Sequence, residues 1–182
     1  YLSFIISYLA ALGLINIFNA KWESLNIKKI IIGIAILGIL FSGFSYIGKF
    51  KNMAPDKDVY DSLVYLKDNS DENSIVLSHY NNGILINAVA KRKNFIDKNF
   101  LYIPDIDKRL KDNKELLYSR NLKKTELLLK KYNIGYIYVT EDMSNGLVWN
   151  NKNEGLLFVM KFSENFIKIY ENDNVEIWRY FG

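Results

Sequence analysis

The sequence holds a single histidine, His79, the one side chain whose ordinary pKa lies near neutrality. It follows Ser74-Ile75-Val76-Leu77-Ser78, a short β-branched run that reads as a buried strand. Residues just past a strand's carboxyl end are where open α/β sheets place their ligand crevices. One imidazole without a second supports neither a metal site nor a proton relay, and a lone His in a polar loop equally suits a surface or capping role. Asp105 and Asp107 are close enough in sequence for a divalent-cation pair. However, acidic residues after Pro104, with Lys108 and Arg109 next, are what a helix N-terminus favours. Lys91-Arg92-Lys93 could meet lipid headgroups or an anionic sugar-lipid, or form a solvated edge. No Ser-His-Asp order, paired catalytic carboxylates, metal-ligand spacing or glycine-rich phosphate loop stands out. The expectation is therefore no catalytic residue, no metal and no cofactor in this chain. The 13 tyrosines and 11 phenylalanines could stack on sugar, though their strand-like spacing assigns most of them to a core.

Two elements precede any such site. Tyr1–Ala20 and Ile30–Gly48 are charge-free runs close to the roughly 20 helical residues that cross a hydrocarbon core. Residues 1–51 are thus expected to form a transmembrane helical hairpin, with spans at about 1–20 and 30–48, and residues 52–182 a soluble domain. Tyr1–Lys51 carries five lysines and one glutamate, whereas the remainder carries 19 basic and 19 acidic side chains. The whole excess of +4 therefore sits in the membrane part, and a neutral soluble domain offers no footprint for nucleic acid. Lys21, Lys28 and Lys29 flank the short loop between the spans, which assigns that loop to the cytoplasm and the soluble domain to the extracytoplasmic side. Gly38 and Ser42 make one small-xxx-small pair that would allow close helix approach. Zero cysteines exclude disulfides and thiolate chemistry. The chain opens on Tyr1 inside an apolar run, so the natural protein is expected to begin further upstream.

The soluble part reads as α/β with a mixed sheet. A helix opens at Pro55 and ends near Asn69, with Val59, Leu63, Tyr65 and Leu66 as its apolar stripe. After the strand at Ser74–Ser78 come a polar loop at His79–Gly83, a short helix at Ile84–Ala90, a strand at Asn94–Ile96 and a turn at Pro104. Helices follow from Asp105 to about Tyr118 and from Asn121 to Tyr132, the second with Leu122, Leu127, Leu128 and Leu129 on its core face and Asn133 as a left-handed cap. Tyr136–Val139 is the clearest strand, separated from Phe95 by enough chain for a parallel crossover. A helix at Glu154–Phe162 precedes a closing β-hairpin, Phe166–Tyr170 with Val175–Tyr180.

The stretch Ser74–Gly83, continuing to Arg92 and Asp97, resembles the soluble-domain entrance of membrane glycosyltransferases of the GT-C class, especially archaeal oligosaccharyltransferase-like proteins. In those the strand leads into Trp-Trp-Asp-Tyr-Gly. Here His79 and Tyr80 stand at the tryptophans, Asn81 at the Asp, Asn82 at the Tyr, and Gly83 matches. The tail, Lys131-Tyr-Asn-Ile-Gly-Tyr-Ile-Tyr-Val139 followed by a hairpin ending Val175-Glu-Ile-Trp-Arg-Tyr180, is similar to the close of archaeal domains of this class. The resemblance implies His79, Tyr80, Asn81, Asn82, Arg92 and Asp97 as substrate-binding residues. It also implies a polyprenyl-phosphate sugar donor, a glycan or protein acceptor, and membrane lipid as partners. Catalytic residues, with any divalent cation, would then lie upstream, and the altered motif points to a related transferase rather than to protein N-glycosylation. The expected whole is a multi-pass protein of the cell membrane whose soluble domain caps the active site or reads the acceptor. The alternative is a non-catalytic membrane protein whose outer module binds a ligand or partner.

Overall fold

The computed structural model describes residues 2–51, 55–100 and 105–182, which fall into two compact units divided at Ala54 and Pro55. The expected turn at Pro104 lies outside the described residues.

The first unit is a helical hairpin, α1 (Leu2–Asn19) and α2 (Leu25–Lys51). Within α2, Leu25–Phe44 is long and apolar enough to cross a membrane, and its side chains point outward, Ile34 65%, Leu37 58% and Phe41 78% exposed. From Ile30 onward this segment carries no charge, and so apolar a surface left uncovered is suited to lipid rather than to a soluble core. The described apolar part of α1, Phe4–Asn19, is shorter, so one helix rather than two reaches full crossing length among the described residues. Leu14, Ile17 and Phe18 of α1 face Ile32, Ala35, Ile36 and Ile39 of α2. The loop between them caps α1: Trp22 Nε1 donates to the Ile17 carbonyl at 3.0 Å and Lys28 Nζ to the Phe18 carbonyl at 2.7 Å. These are helix-end carbonyls with no partner inside the helix. Among the described residues, a Cβ placed on Gly33, Gly38 or Gly43 would meet nothing within 4 Å beyond its own helix backbone and chain neighbours.

The second unit is a five-stranded mixed sheet in the order β2-β1-β3-β5-β4, with β1 (Ile75–Leu77), β2 (Lys93–Asn94), β3 (Ile134–Thr140), β4 (Phe166–Glu171) and β5 (Val175–Tyr180). β1 runs parallel to both β2 and β3, while β5 is antiparallel to β3 and β4. The α/β reading, the parallel crossover and the closing hairpin all hold. β3 is buried on both faces, as a nearly continuous apolar central strand must be. Tyr136 and Tyr138 face one core with Leu63 and Leu66 of α3 (Lys57–Asn69) and Ile86 of the segment after β1. Ile137 and Val139 face the other with Leu116, Leu129 and Leu156 of α5 (Ile106–Tyr118), α6 (Leu122–Lys131) and α7 (Gly155–Phe162). Between β1 and β2 lies α4 (Gly83–Leu85), which passes directly into a π-helical turn, Ile86–Ala90.

Several details differ from expectation. On α6, Thr125 and Leu129 are buried and Leu128 partly so, whereas Leu122 and Leu127 are exposed. Positions 125 and 129 are one helical repeat apart, which turns 127 to the far side. β2 takes Lys93–Asn94, because the Asn94 pairing with Val76 leaves Phe95 and Ile96 to fill the core as a loop. α5 starts as the helix-start reading of the aspartates requires, with Asp105 at its N-cap and Asp107 in its first turn. Asn133 takes its left-handed conformation, φ 53°.

Arg92 is buried, its guanidinium wholly occupied by the fold. Nε donates to Ser70 Oγ at 2.8 Å, the second terminal nitrogen to the Lys67 and Ser70 carbonyls, and the first to the Ala90 and Lys91 carbonyls. One planar fork thus closes the carboxyl ends of both α3 and the π turn, geometry that an ammonium cannot copy. Replacing Arg92 by Ala should cost on the order of 3 kcal/mol in denaturant unfolding, by stranding these carbonyls. Arg92→Lys should recover less than half; full recovery would show that charge alone suffices.

Candidate functional site

β1 and β3 are adjacent and parallel, but the chain leaves β1 toward β2 on one side and returns to β3 on the other. Chain paths that part in this way open a crevice at the carboxyl ends of the two strands. A polar stitch lies there. Ser78 Oγ donates to the Tyr138 carbonyl at 2.7 Å and accepts from Asn82 Nδ2 at 3.0 Å, and both groups lie 3.6 Å from Met143 Sδ. Ser78 and Met143, buried and separated in sequence, gave no motif-like signal.

His79 is 8% exposed and its ring lies 4.0 Å from that of Tyr80, centroid to centroid. Its Nδ1 accepts the Asn81 N–H at 3.4 Å, which leaves the proton of the neutral ring on Nε2. Burial, and then the Lys98 ammonium, hold its pKa below the ordinary 6.5. His79 is therefore a neutral imidazole at pH 7. Tyr80, 36% exposed, is edge-on to Phe100 at 5.8 Å, and Asn81 is half-buried beside it.

The loop after β2 supports the loop after β1. Asn94 Nδ2 donates to the Gly83 carbonyl at 2.7 Å, and Asp97 Oδ1 accepts the Asn99 N–H at 2.7 Å to turn the chain. A Cβ on Gly83 would stand 2.5 Å from Asp97 Cβ and 2.7 Å from the Ile96 carbonyl oxygen, so the two loops can meet only at glycine. Of the six residues expected at a substrate site, His79, Tyr80, Asn81 and Asn82 come together, and Asp97 buttresses them through Gly83. Arg92 is set apart, its donors spent on helix ends. Lys91 and Lys93 remain exposed. Among the described residues no three metal-ligating side chains converge.

The same end of the sheet collects two more segments. β5 pairs Val175 with Thr140, which sets the β4–β5 turn beside the carboxyl end of β3. Asn172 Nδ2 and Asn174 Nδ2 then reach the Asp58 carbonyl and Oδ2 at 2.9 and 3.2 Å, fixing the start of α3 there. The chain thus enters this unit, at Pro55, on the end that bears the crevice.

Compared with solved structures, the chain is similar to the C-terminal globular domain of an oligosaccharyltransferase from Archaeoglobus fulgidus. The TM-score is 0.56 at 15% identity, over 70% of this chain and 99% of that domain. The second unit shares that fold. Whole oligosaccharyltransferases of the same organism also align: one in the apo form, TM-score 0.44 at 18% identity, over 91% of this chain and 23% of that one. Another, in complex with an inhibitory peptide and a dolichol-phosphate, gives 0.40 at 17%, over 78% and 20%. The chain therefore spans about a fifth of those enzymes. No protein-family model matches the sequence, and no curated protein matches it.

Two measurements follow from this geometry. Because the folded pKa of His79 lies below 6.5, the unfolded chain takes up its proton first as pH falls. Stability should decline from pH 7 toward pH 5, and with one histidine in the sequence His79→Gln should flatten that slope. An NMR titration midpoint at or above 6.5 would contradict the assignment. Gly83→Ala should destabilise the unit by about 1–3 kcal/mol through overpacking. Faster amide exchange at residues 79–83 and 95–100 would mark the parted loops, and unchanged exchange would refute their close approach.

Proposed function

We propose that this chain is the C-terminal part of a multi-pass membrane glycosyltransferase that draws its sugar from a polyprenyl-phosphate carrier. Its soluble unit, on the extracytoplasmic side, caps the active site and reads the acceptor. The observation that carries this reading is the fold likeness of the soluble unit to the C-terminal globular domain of an archaeal oligosaccharyltransferase, over 99% of that domain. Related enzymes of that organism have been seen with an acceptor peptide and with dolichol-phosphate, which supports a peptide or glycan acceptor and a lipid-linked donor here.

The crevice defines what this chain contributes. Tyr80 presents an exposed aromatic face, and Asn81 an amide able both to donate and to accept. His79 orients Tyr80 by ring contact, with burial holding its pKa below the ordinary value. Asn82, tied to Ser78 and Met143, keeps the loop in register with β3. Arg92 and Asp97 act behind the loop, as lock and buttress. Catalytic groups, with any divalent cation they need, lie outside this chain.

The test is transfer from a polyprenyl-phosphate-linked sugar by the full membrane protein. Tyr80→Ala together with Asn81→Ala should lower turnover at least about tenfold, the loss of one or two well-placed contacts, with the unfolding midpoint unchanged. Full turnover in a folded double variant would remove the loop from acceptor reading. Absence of transfer by the wild type with every acceptor tried would favour a non-catalytic binding module.

A further inference from the structure

A second concave surface opens at the same end of the sheet, on the β5 side of β3. It consists of two adjoining hollows of about 190 and 230 Å³ that share Ser144, Lys152, Glu171 and Glu176 as walls. Together they reach the size of an ordinary small-ligand cleft. Glu141, Asn145, Asn172 and Asn174 line the outer hollow, and Leu157, Lys168 and Trp178 the inner one.

One wall is irregular backbone. Directly after β3 the chain forms a π turn, Met143–Leu147, broken at Asn145 (φ −110°, ψ 34°) and at Gly146, whose φ of 113° admits little but glycine. This turn brings Ser144 and Asn145 into the hollow.

The charge of the lining selects the ligand. Lys168 Nζ lies 2.9 Å from Glu171 and 3.1 Å from Glu176, cancelling much of their charge, and those bonds outweigh burial in keeping it protonated. Glu141 accepts from Asn145 Nδ2 at 3.1 Å, and Lys152 and Lys161 add two further positive charges to the lining. What remains is nearly neutral and rich in carboxylates and amides, which pair well with vicinal hydroxyls. Beside them are an apolar wall and the indole of Trp178, oriented by its Nε1 bond to Glu176 Oε2 at 3.0 Å. An anion would meet four carboxylates, and a polycation would meet three lysines. Strand addition along β4 is disfavoured by the register break between Lys168 and Tyr170 and by Lys168 itself.

We propose that this groove binds a neutral oligosaccharide, at a site separate from the His79–Asn82 loop. The proposal stands on the groove's own lining and does not require the loop to read an acceptor.

The 182-residue chain in lipid nanodiscs free of glycosidic detergent would be titrated with maltohexaose, chitotetraose and mannotetraose, followed by amide shifts. At least one should bind saturably. Glu141→Gln combined with Asn145→Ala should weaken it about tenfold, the loss expected for hydrogen bonds on a folded surface. Trp178→Phe, which keeps a ring, should weaken it less. Tyr80→Ala should leave it unchanged, which separates this site from the loop. The proposal is overturned if none of the three sugars binds, if Tyr80→Ala rather than the groove variants abolishes binding, or if tetralysine occupies the groove in their place.

Discussion

The parallel pairing of β1 with β3 is the constraint on which the rest of the second unit depends. β1 has three residues, too few to hold its place by its own ladder, and β2 on its outer side has two. Its position is secured from β3, through Val76 opposite Tyr136 and Leu77 opposite Ile137, and locked at the carboxyl end by the Ser78 bond to the Tyr138 carbonyl. Because both strands run the same way, the loops that follow them must emerge together. The crevice, the stitch through Met143 and the close approach of residues 83 and 97 are consequences of that one register. A slip of one residue would exchange Val76 and Leu77 between the two cores.

The α3 face of the sheet meets the buried polar groups this architecture brings with it. The tyrosines of β3 carry hydroxyls into the α3 layer, where Tyr138 pairs with Ser62 Oγ at 2.7 Å and Tyr136 accepts the Asp71 N–H at 3.2 Å. Burial pushes the Tyr138 hydroxyl up to about 12, against the pull of Ser62, so the pair stays neutral throughout the working range of pH. Arg92 performs the matching task for carbonyls at the carboxyl end of α3. Together they fix the angle at which α3 lies on the sheet, and α3 in turn receives the chain from the hydrophobic segment. Polar groups used in this way specify geometry more than they add stability, since each exchanges water for one internal partner.

Much of this was legible in the sequence. The Ile134–Thr140 strand, the closing hairpin, α3 and the left-handed Asn133 could be read because each is announced locally, by apolar alternation, turn residues or a cap. The His79–Gly83 loop was legible too, as a polar segment after a β-branched run. What stayed hidden is what depends on distant chain. Arg92 looked like part of an exposed basic cluster, because nothing near it shows that Lys67 and Ser70 carbonyls would surround it. Leu122 and Leu127 looked like core because leucines dominate that stretch, yet the buried side was decided by α5 and β3. The groove beside β3 draws on residues from 139 to 178 and has no contiguous pattern to find.

The chemistry available at the carboxyl end of the sheet bears on division of labour. A catalytic pair needs two titratable groups whose surroundings drive their pKa values apart within reach of one substrate. Here the group that titrates nearest neutrality is a histidine whose pKa burial and the Lys98 ammonium lower, and amides, a phenol and a thioether lie beside it. These groups can donate and accept hydrogen bonds, and they sit on a frame braced by Gly83 and Ser78. The chain enters the unit at this same end, through Pro55 and the start of α3, held by Asn172 and Asn174. The His79–Asn82 loop and the start of α3 thus lie at one end of one sheet. Any substitution that tilts α3 should therefore be felt at Tyr80 as well.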